Sequence, residues 1–187
     1  ACVPGYSADG WAHFTTSAGY VLRGTHADPS TGDVYLADND GRLESQGWHV
    51  TSVYGSGLQR YWVDATAHAC VPGYSADGWD HYTTSAGYVL RGTHADPSTG
   101  YVYLADTDGL LAGPGWVVAD YGDGLQRYWV DATAHACVPG YSTDGWAHWT
   151  TTYGYVLRGA QRYDDDGVLL ADNDGKLAEC YSSGGWL

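Results

Sequence analysis

Tryptophan and tyrosine recur along this chain at positions where their ring faces could hold a ligand. Trp48 and Trp116 occupy equivalent places, with Tyr61 and Tyr128, or Tyr35 and Tyr103, as opposing walls. Trp62 and Trp129 follow the first of those tyrosine pairs directly. Trp11, Trp79 and Trp146 form a further set, and Tyr20, Tyr88 and Tyr155 another. A cage of such rings attracts an organic cation through the ring quadrupole, at about 0.5–2 kcal/mol for each face. The same faces stack on the apolar side of a sugar, with phenol hydroxyls and nearby carboxylates left for its hydroxyl groups. Rings at these positions would serve equally as the shared core of stacked strands, and the sequence leaves both uses open.

Other chemistry is poorly supported. Asp38-Asn39-Asp40-Gly41, Asp106-Thr107-Asp108-Gly109 and Asp172-Asn173-Asp174-Gly175 place oxygen ligands at alternate positions before a glycine. A calcium loop also needs a third Asp or Asn and a closing glutamate, and neither is present. Turn chemistry accounts for these segments, because Asp and Asn bond their own backbone and Gly takes positive φ. His26 with Asp28, copied as His94 with Asp96, is a weak metal pair whose loop is lost in the third copy. Those two histidines are read as solvated turn residues, and no metal or cofactor is expected. There is no nucleophile elbow, phosphate loop or dinucleotide fingerprint. Acidic pairs are plentiful but repeated, whereas a catalytic dyad needs one unique cleft, so the chain is read as non-catalytic.

The elements that must position these rings are repeated. Cys2-Val3-Pro4-Gly5-Tyr6-Ser7 returns at Cys70 and again at Cys137, which defines cassettes 1–68, 69–135 and 136–187, the last incomplete. A fixed period of this kind marks a repeat architecture, and 1–187 is read as one repeat array. Each cassette divides into three strand–turn–strand pieces. The first turns at Ala8-Asp9-Gly10. The second runs from Gly19–Gly24 through a loop at Asp28–Gly32 to Val34–Asp38. The third joins Gly47–Val50 to Leu58–Asp64 around Gly55-Ser56-Gly57. No segment has helical periodicity, and Gly or Pro interrupts nearly every window of ten. One isolated hairpin is marginal in water, but hairpins in succession can share aromatic faces. The expected fold is all-β, a solenoid of stacked β-hairpins with three hairpins per cassette.

Composition narrows the partners. The 187 residues carry a net charge of −14 with one lysine, Lys176, which argues against nucleic acid and against anionic lipid. There is no apolar run long enough for a membrane span. Nine Trp and 17 Tyr stand beside one Phe, no Met and no Ile, so aromatic rings must supply much of the packing. The three repeated cysteines should lie a full cassette apart, too far to bridge one another. Cys180 is a candidate disulfide partner for Cys137, and buried free thiols are the alternative.

Gly47-Trp48 followed by Gly57-Leu58-Gln59-Arg60-Tyr61-Trp62-Val63-Asp64 resembles the Gly-Trp, turn, Tyr-Tyr pattern of choline-binding and glucan-binding cell-wall repeats. Gly19-Tyr20, then Val34–Leu43 and Gly47-Trp48, resembles the same unit joined to its successor. The chain departs from that pattern in grouping its hairpins in threes, in using His13-Phe14 and Tyr61-Trp62 at some Tyr-Tyr positions, and in lacking Met. The resemblance implies a hairpin solenoid on secreted or surface proteins of bacteria or their phages. It implies ring-walled pockets between hairpins that hold choline on wall polymers, or glucans. The expected function is a non-catalytic module anchoring a larger protein, of which this chain reads as a fragment, to cell-wall or extracellular polysaccharide. A stalk without a small ligand, or a protein-binding adhesin repeat, is the alternative.

Overall fold

The computed structural model describes residues 2–55, 57–77, 79–122, 124–162 and 168–178, and the backbone of 181–182 and 185–186. Among them there is no helix. Eighteen strands pair antiparallel into nine two-stranded sheets, each joining strands consecutive in sequence. The fold class is therefore the expected all-β hairpin solenoid, three hairpins to a cassette. The chain forms two compact units, Ala1–Leu90 and Arg91–Leu187.

In the first unit, β1 (Gly5–Ser7) pairs with β2 (His13–Thr15), and β3 (Gly24–Ala27) pairs with β4 (Val34–Ala37). β5 (Gly47–Thr51) pairs with β6 (Gln59–Val63), and β7 (Gly73–Ser75) pairs with β8 (His81–Thr83). The second unit repeats the order in β9 (Gly92–Ala95) with β10 (Val102–Ala105), then β11 (Gly115–Asp120) with β12 (Leu125–Val130). β13 (Gly140–Ser142) with β14 (His148–Thr150), β15 (Gly159–Arg162) with β16 (Val168–Ala171), and β17 (Tyr181–Ser182) with β18 (Gly185–Trp186) complete it.

Strand alternation explains how two-stranded sheets make a core. Successive side chains of a strand point to opposite faces. All four residues of β4 are buried, so both faces of that hairpin are covered. Tyr35 and Ala37 pack with Phe14, Leu22 and Leu43 on one side. Val34 and Leu36 pack with Tyr61, Val63 and Cys70 on the other. In the second unit Val102 and Leu104 of β10 meet Tyr128, Val130 and Cys137 in the same way. Tyr35 and Tyr103, expected among the ligand walls, are thus core rings at 8% and 7% exposure.

Backbone bonds tie β4 to the segment between β6 and β7, and β10 to the segment between β12 and β13. Val34 and Cys70 exchange N–H···O bonds of 2.9 and 2.8 Å, and Val102 and Cys137 repeat them at 2.9 and 2.8 Å. At each bridge the cysteine side chain belongs to the adjoining apolar cluster. Both cysteines are fully buried free thiols, and Cys2 is exposed. Cys180, the proposed partner of Cys137, lies outside the described residues.

The second hairpin begins later than its sequence pattern suggested. Residues 19–23 fold back on β2, with Leu22 donating to the Phe14 carbonyl at 2.8 Å and a tight turn from Thr16 to Gly19. The chain is then redirected at Gly24, where φ is +78°. The Asp-x-Asp-Gly segments are the turns they resembled. The Asp38 carboxylate accepts from the N–H groups of Asp40 and Arg42, both at 2.9 Å.

Gly87 and Gly24 separate strain from crowding. Both have positive φ, but a Cβ on Gly87 would lie 2.8 Å from Val34 Cγ1, whereas one on Gly24 would meet nothing within 4 Å. Gly87→Ala should lower stability by about 2–4 kcal/mol and Gly24→Ala by about 1–2 kcal/mol in urea titrations. Burial also pushes the Cys70 and Cys137 thiols up to about 12. Alkylation at pH 8 mapped by mass spectrometry should therefore label Cys2 in the native protein, and Cys70 and Cys137 only after denaturation.

Candidate ligand-binding seams

The register of β5 with β6 sorts the candidate rings onto two faces. Trp48 stands opposite Trp62, and His49 stands opposite Tyr61. Cross-strand partners share a face and neighbours along a strand do not. Trp48 and Tyr61, one of the expected wall pairs, therefore look in opposite directions. So do Trp116 and Tyr128 in the second unit, where Trp116 pairs with Trp129 and Val117 with Tyr128.

The tryptophan face meets the following hairpin. The Trp48 centroid lies 4.9 Å from Trp62, 4.8 Å from Trp79 and 4.9 Å from the His81 ring. In the second unit Trp116 lies 4.9 Å from Trp129, 4.4 Å from Trp146 and 5.0 Å from His148. These are contact spacings for ring pairs. A Cβ on Gly145 would approach Trp116 Nε1 to 2.7 Å, a second sign of close filling. Each cluster carries a cation. The Arg60 guanidinium carbon sits 5.3 Å from the Trp79 centroid. That of Arg127 sits 5.6 Å from Trp146 and 5.9 Å from Trp116, while its Nη2 donates to Asp174 Oδ1 at 3.0 Å.

His81 and His148 are completely buried. Each Nδ1 donates to a carbonyl two residues back, Trp79 and Trp146 respectively, at 2.8 Å. In both residues Nε2 is buried without a hydrogen-bond partner. For His81, burial holds the pKa below the ordinary imidazole value, against a smaller upward effect of the Trp79 carbonyl.

The tyrosine face is more open. Tyr54 stands edge-on to Tyr61 at 5.8 Å, and Tyr61 forms a backbone bridge with Tyr88. With Gln59, Thr25 and Ser85 these rings line a cavity of about 300 Å³. Tyr61 itself is 1% exposed, while Tyr88 is half-buried. The Tyr54 hydroxyl donates to Glu44 Oε1 at 2.6 Å. Burial first, and then Glu44, push its pKa well above the usual phenol value. The second unit repeats the ring set in Tyr121, edge-on to Tyr128 at 5.4 Å, with Tyr155 bridged to Tyr128. A further crevice of about 240 Å³ lies beside Tyr155, walled by Tyr153, Trp149 and Gln161.

The remaining candidates are scattered. Tyr20 is 74% exposed. Trp11 lies beside His13 at 5.3 Å and lines a third crevice of about 390 Å³ with Arg42, Glu44 and the stacked pair Tyr6–His68. Sequence reading missed Tyr54, Tyr121, His81, His148, Arg60 and Arg127 as members of ring clusters. One signal was present: the period of two at Arg60-Tyr61-Trp62 separates tyrosine from tryptophan. No group of three or more metal-ligating side chains gathers among the described residues, and no helix there is long and apolar enough to cross a membrane.

The fold has a counterpart among solved structures. Choline binding protein F from Streptococcus pneumoniae superposes over 98% of this chain and 75% of its own, with a TM-score of 0.60 at 17% identity. The fold is the choline-binding hairpin-repeat fold. The modular autolysin LytC from Streptococcus pneumoniae, solved with a synthetic peptidoglycan ligand, aligns over 89% of this chain with a TM-score of 0.49 at 15% identity, and this chain spans 36% of its length. No family model matches the sequence, and no curated protein matches it.

The buried imidazole gives a pH prediction. Its folded pKa lies below its unfolded value near 6.5, so the unfolded chain binds the proton first as pH falls. The contribution of neutral His81 is complete above that value and is lost progressively below it. The unfolding free energy from urea titrations should fall between pH 7 and pH 5, with His81 contributing at most about 1.4 kcal/mol per pH unit. His81→Gln, compared across the same range, should show a shallower decline.

Proposed function

We propose that this chain is a non-catalytic binding module that holds a secreted or bacterial surface protein on cell-wall or extracellular glycan, choline-bearing polymers included. The observation that carries this reading is the cavity lined by Tyr54, Tyr61 and Tyr88 at a hairpin seam. It joins ring faces to Gln59, Thr25 and Ser85, the mixture of apolar face and hydroxyl-binding groups that a sugar requires. The fold shared with a choline binding protein supports the same reading. So does the net charge of −14, which favours neutral or cationic ligands over anionic ones.

Repetition supports it further. The tyrosine set recurs as Tyr121, Tyr128 and Tyr155, and several weak sites on one chain gain avidity of about 10²–10⁴ on a polymer. The rings that would face ligand are the half-buried Tyr54 and Tyr88 at this seam, backed by buried Tyr61, while Trp48, Trp62, Trp79 and their copies serve packing. A stalk that binds nothing is the second reading, and the close-packed tryptophan clusters favour it.

Titration calorimetry and pull-down on insoluble wall material separate the two. Binding to a polymeric glycan or choline-bearing wall polymer is expected, with Tyr88→Ala weakening it by roughly tenfold, about 1.4 kcal/mol. Flat traces with choline, glucans and wall fragments alike, from folded protein, would leave only the stalk.

A further inference from the structure

The two tryptophan clusters already contain an organic cation, supplied by the chain itself. We infer that Arg60 and Arg127 are resident cations that occupy the ring faces at these seams and thereby exclude an external ammonium from them. They are specificity-determining residues of the hairpin array, distinct from the tyrosine cavities, and the inference stands whether or not those cavities bind glycan.

The geometry is duplicated. Arg60 lies on β6 and reaches the Trp79 face at 5.3 Å, and Arg127 lies on β12 and reaches Trp146 at 5.6 Å and Trp116 at 5.9 Å. A cation within about 6 Å of a ring centroid is held by the quadrupole. Guanidinium is planar and weakly hydrated, so it can lie flat on indole where a bulkier ammonium would need a cup. Strand alternation sets Arg60 and Trp62 on the face away from Tyr61, so the guanidinium and the indoles share one side. At Arg127 the cation is also tethered, because Asp174 Oδ1 accepts from its Nη2 at 3.0 Å. Asp174 is 69% exposed on its side chain, so it steers the guanidinium without being part of the packed cluster.

A free ammonium must therefore displace a guanidinium that is covalently attached and already on the ring. An attached group competes at high effective concentration. The rings themselves offer no second gap, since Trp116 sits 4.4 Å from Trp146 and Trp48 sits 4.8 Å from Trp79. The residue type at β6 and β12 decides whether the cluster is a closed joint or a cation site.

The test is a choline titration of the whole chain followed by tryptophan emission and near-ultraviolet circular dichroism. The neutral isostere 3,3-dimethyl-1-butanol serves as the control. The native protein should show no saturable choline response in its tryptophan signal. Arg127→Gln and Arg60→Gln should each create one, absent with the neutral isostere, while Arg127→Lys should not. Asp174→Asn removes only the tether at an exposed position and should give a saturable choline response that the native protein lacks. That variant decides the matter if either glutamine variant fails to fold. A saturable response in the native protein equal to that of the variants would overturn the inference. So would folded Arg127→Gln or Asp174→Asn proteins that give no response. Loss of glycan binding in Tyr88→Ala bears on the tyrosine cavity alone, and no outcome there alters this result.

Discussion

The inner hairpins of this protein, β3–β4 and β9–β10 above all, depend on having both of their faces covered. A two-stranded sheet has no interior, so its side chains alternate between two surfaces that water would otherwise wet. β4 shows the consequence, because Val34 and Leu36 belong to one apolar cluster while Tyr35 and Ala37 belong to another. Each layer is therefore the wall of two cores. The same logic places Val102 and Leu104 against Tyr128 and Val130. Removing one layer would expose apolar area on both neighbours, as in other arrays built from units that contact only the next unit.

Alternation also divides the aromatic residues by task. On β6, Tyr61 faces back toward β4 and Trp62 faces forward toward His81, although they are adjacent in sequence. The forward face is closed by indole, imidazole and guanidinium packed at contact distances. The backward face keeps a crevice because tyrosine rings stand edge-on there rather than interleaving. Polar edges buried without partners, Trp62 Nε1 and His81 Nε2 among them, sit on the closed side and are repeated as Trp129 Nε1 and His148 Nε2. Buried polar atoms of this kind lower stability unless the surrounding packing compensates. Their recurrence at equivalent positions shows that the joint is one design used twice, not an accident of one seam.

Much of the architecture could be read directly from the residues. The returning Cys-Val-Pro-Gly-Tyr-Ser segment, the Asp-Gly turns and the absence of helical periodicity determined an all-β series of hairpins in threes, because turns and strand alternation are local properties. The Asp38 turn behaved as its local chemistry required, with the carboxylate bonded to its own backbone. The start of the second hairpin was misplaced, since the fold-back of residues 19–23 onto β2 is a contact between elements.

Which rings face a crevice was decided only in three dimensions. Tyr35, Tyr103, Tyr61 and Tyr128 look like their exposed relatives in sequence, yet all four are core residues because another hairpin lies on each of them. Tyr20 and Tyr88 hold the same cassette position and differ in exposure because a strand bridges to Tyr88. Nothing in its own segment marks His81 as buried, and packing under two tryptophans lowers its pKa. The sequence by itself determined the hairpins and their period, through interactions within a few residues. The stacking of one hairpin on the next determined the sites, because exposure, ring pairing and the placing of a cation on an indole face are properties of two layers in contact.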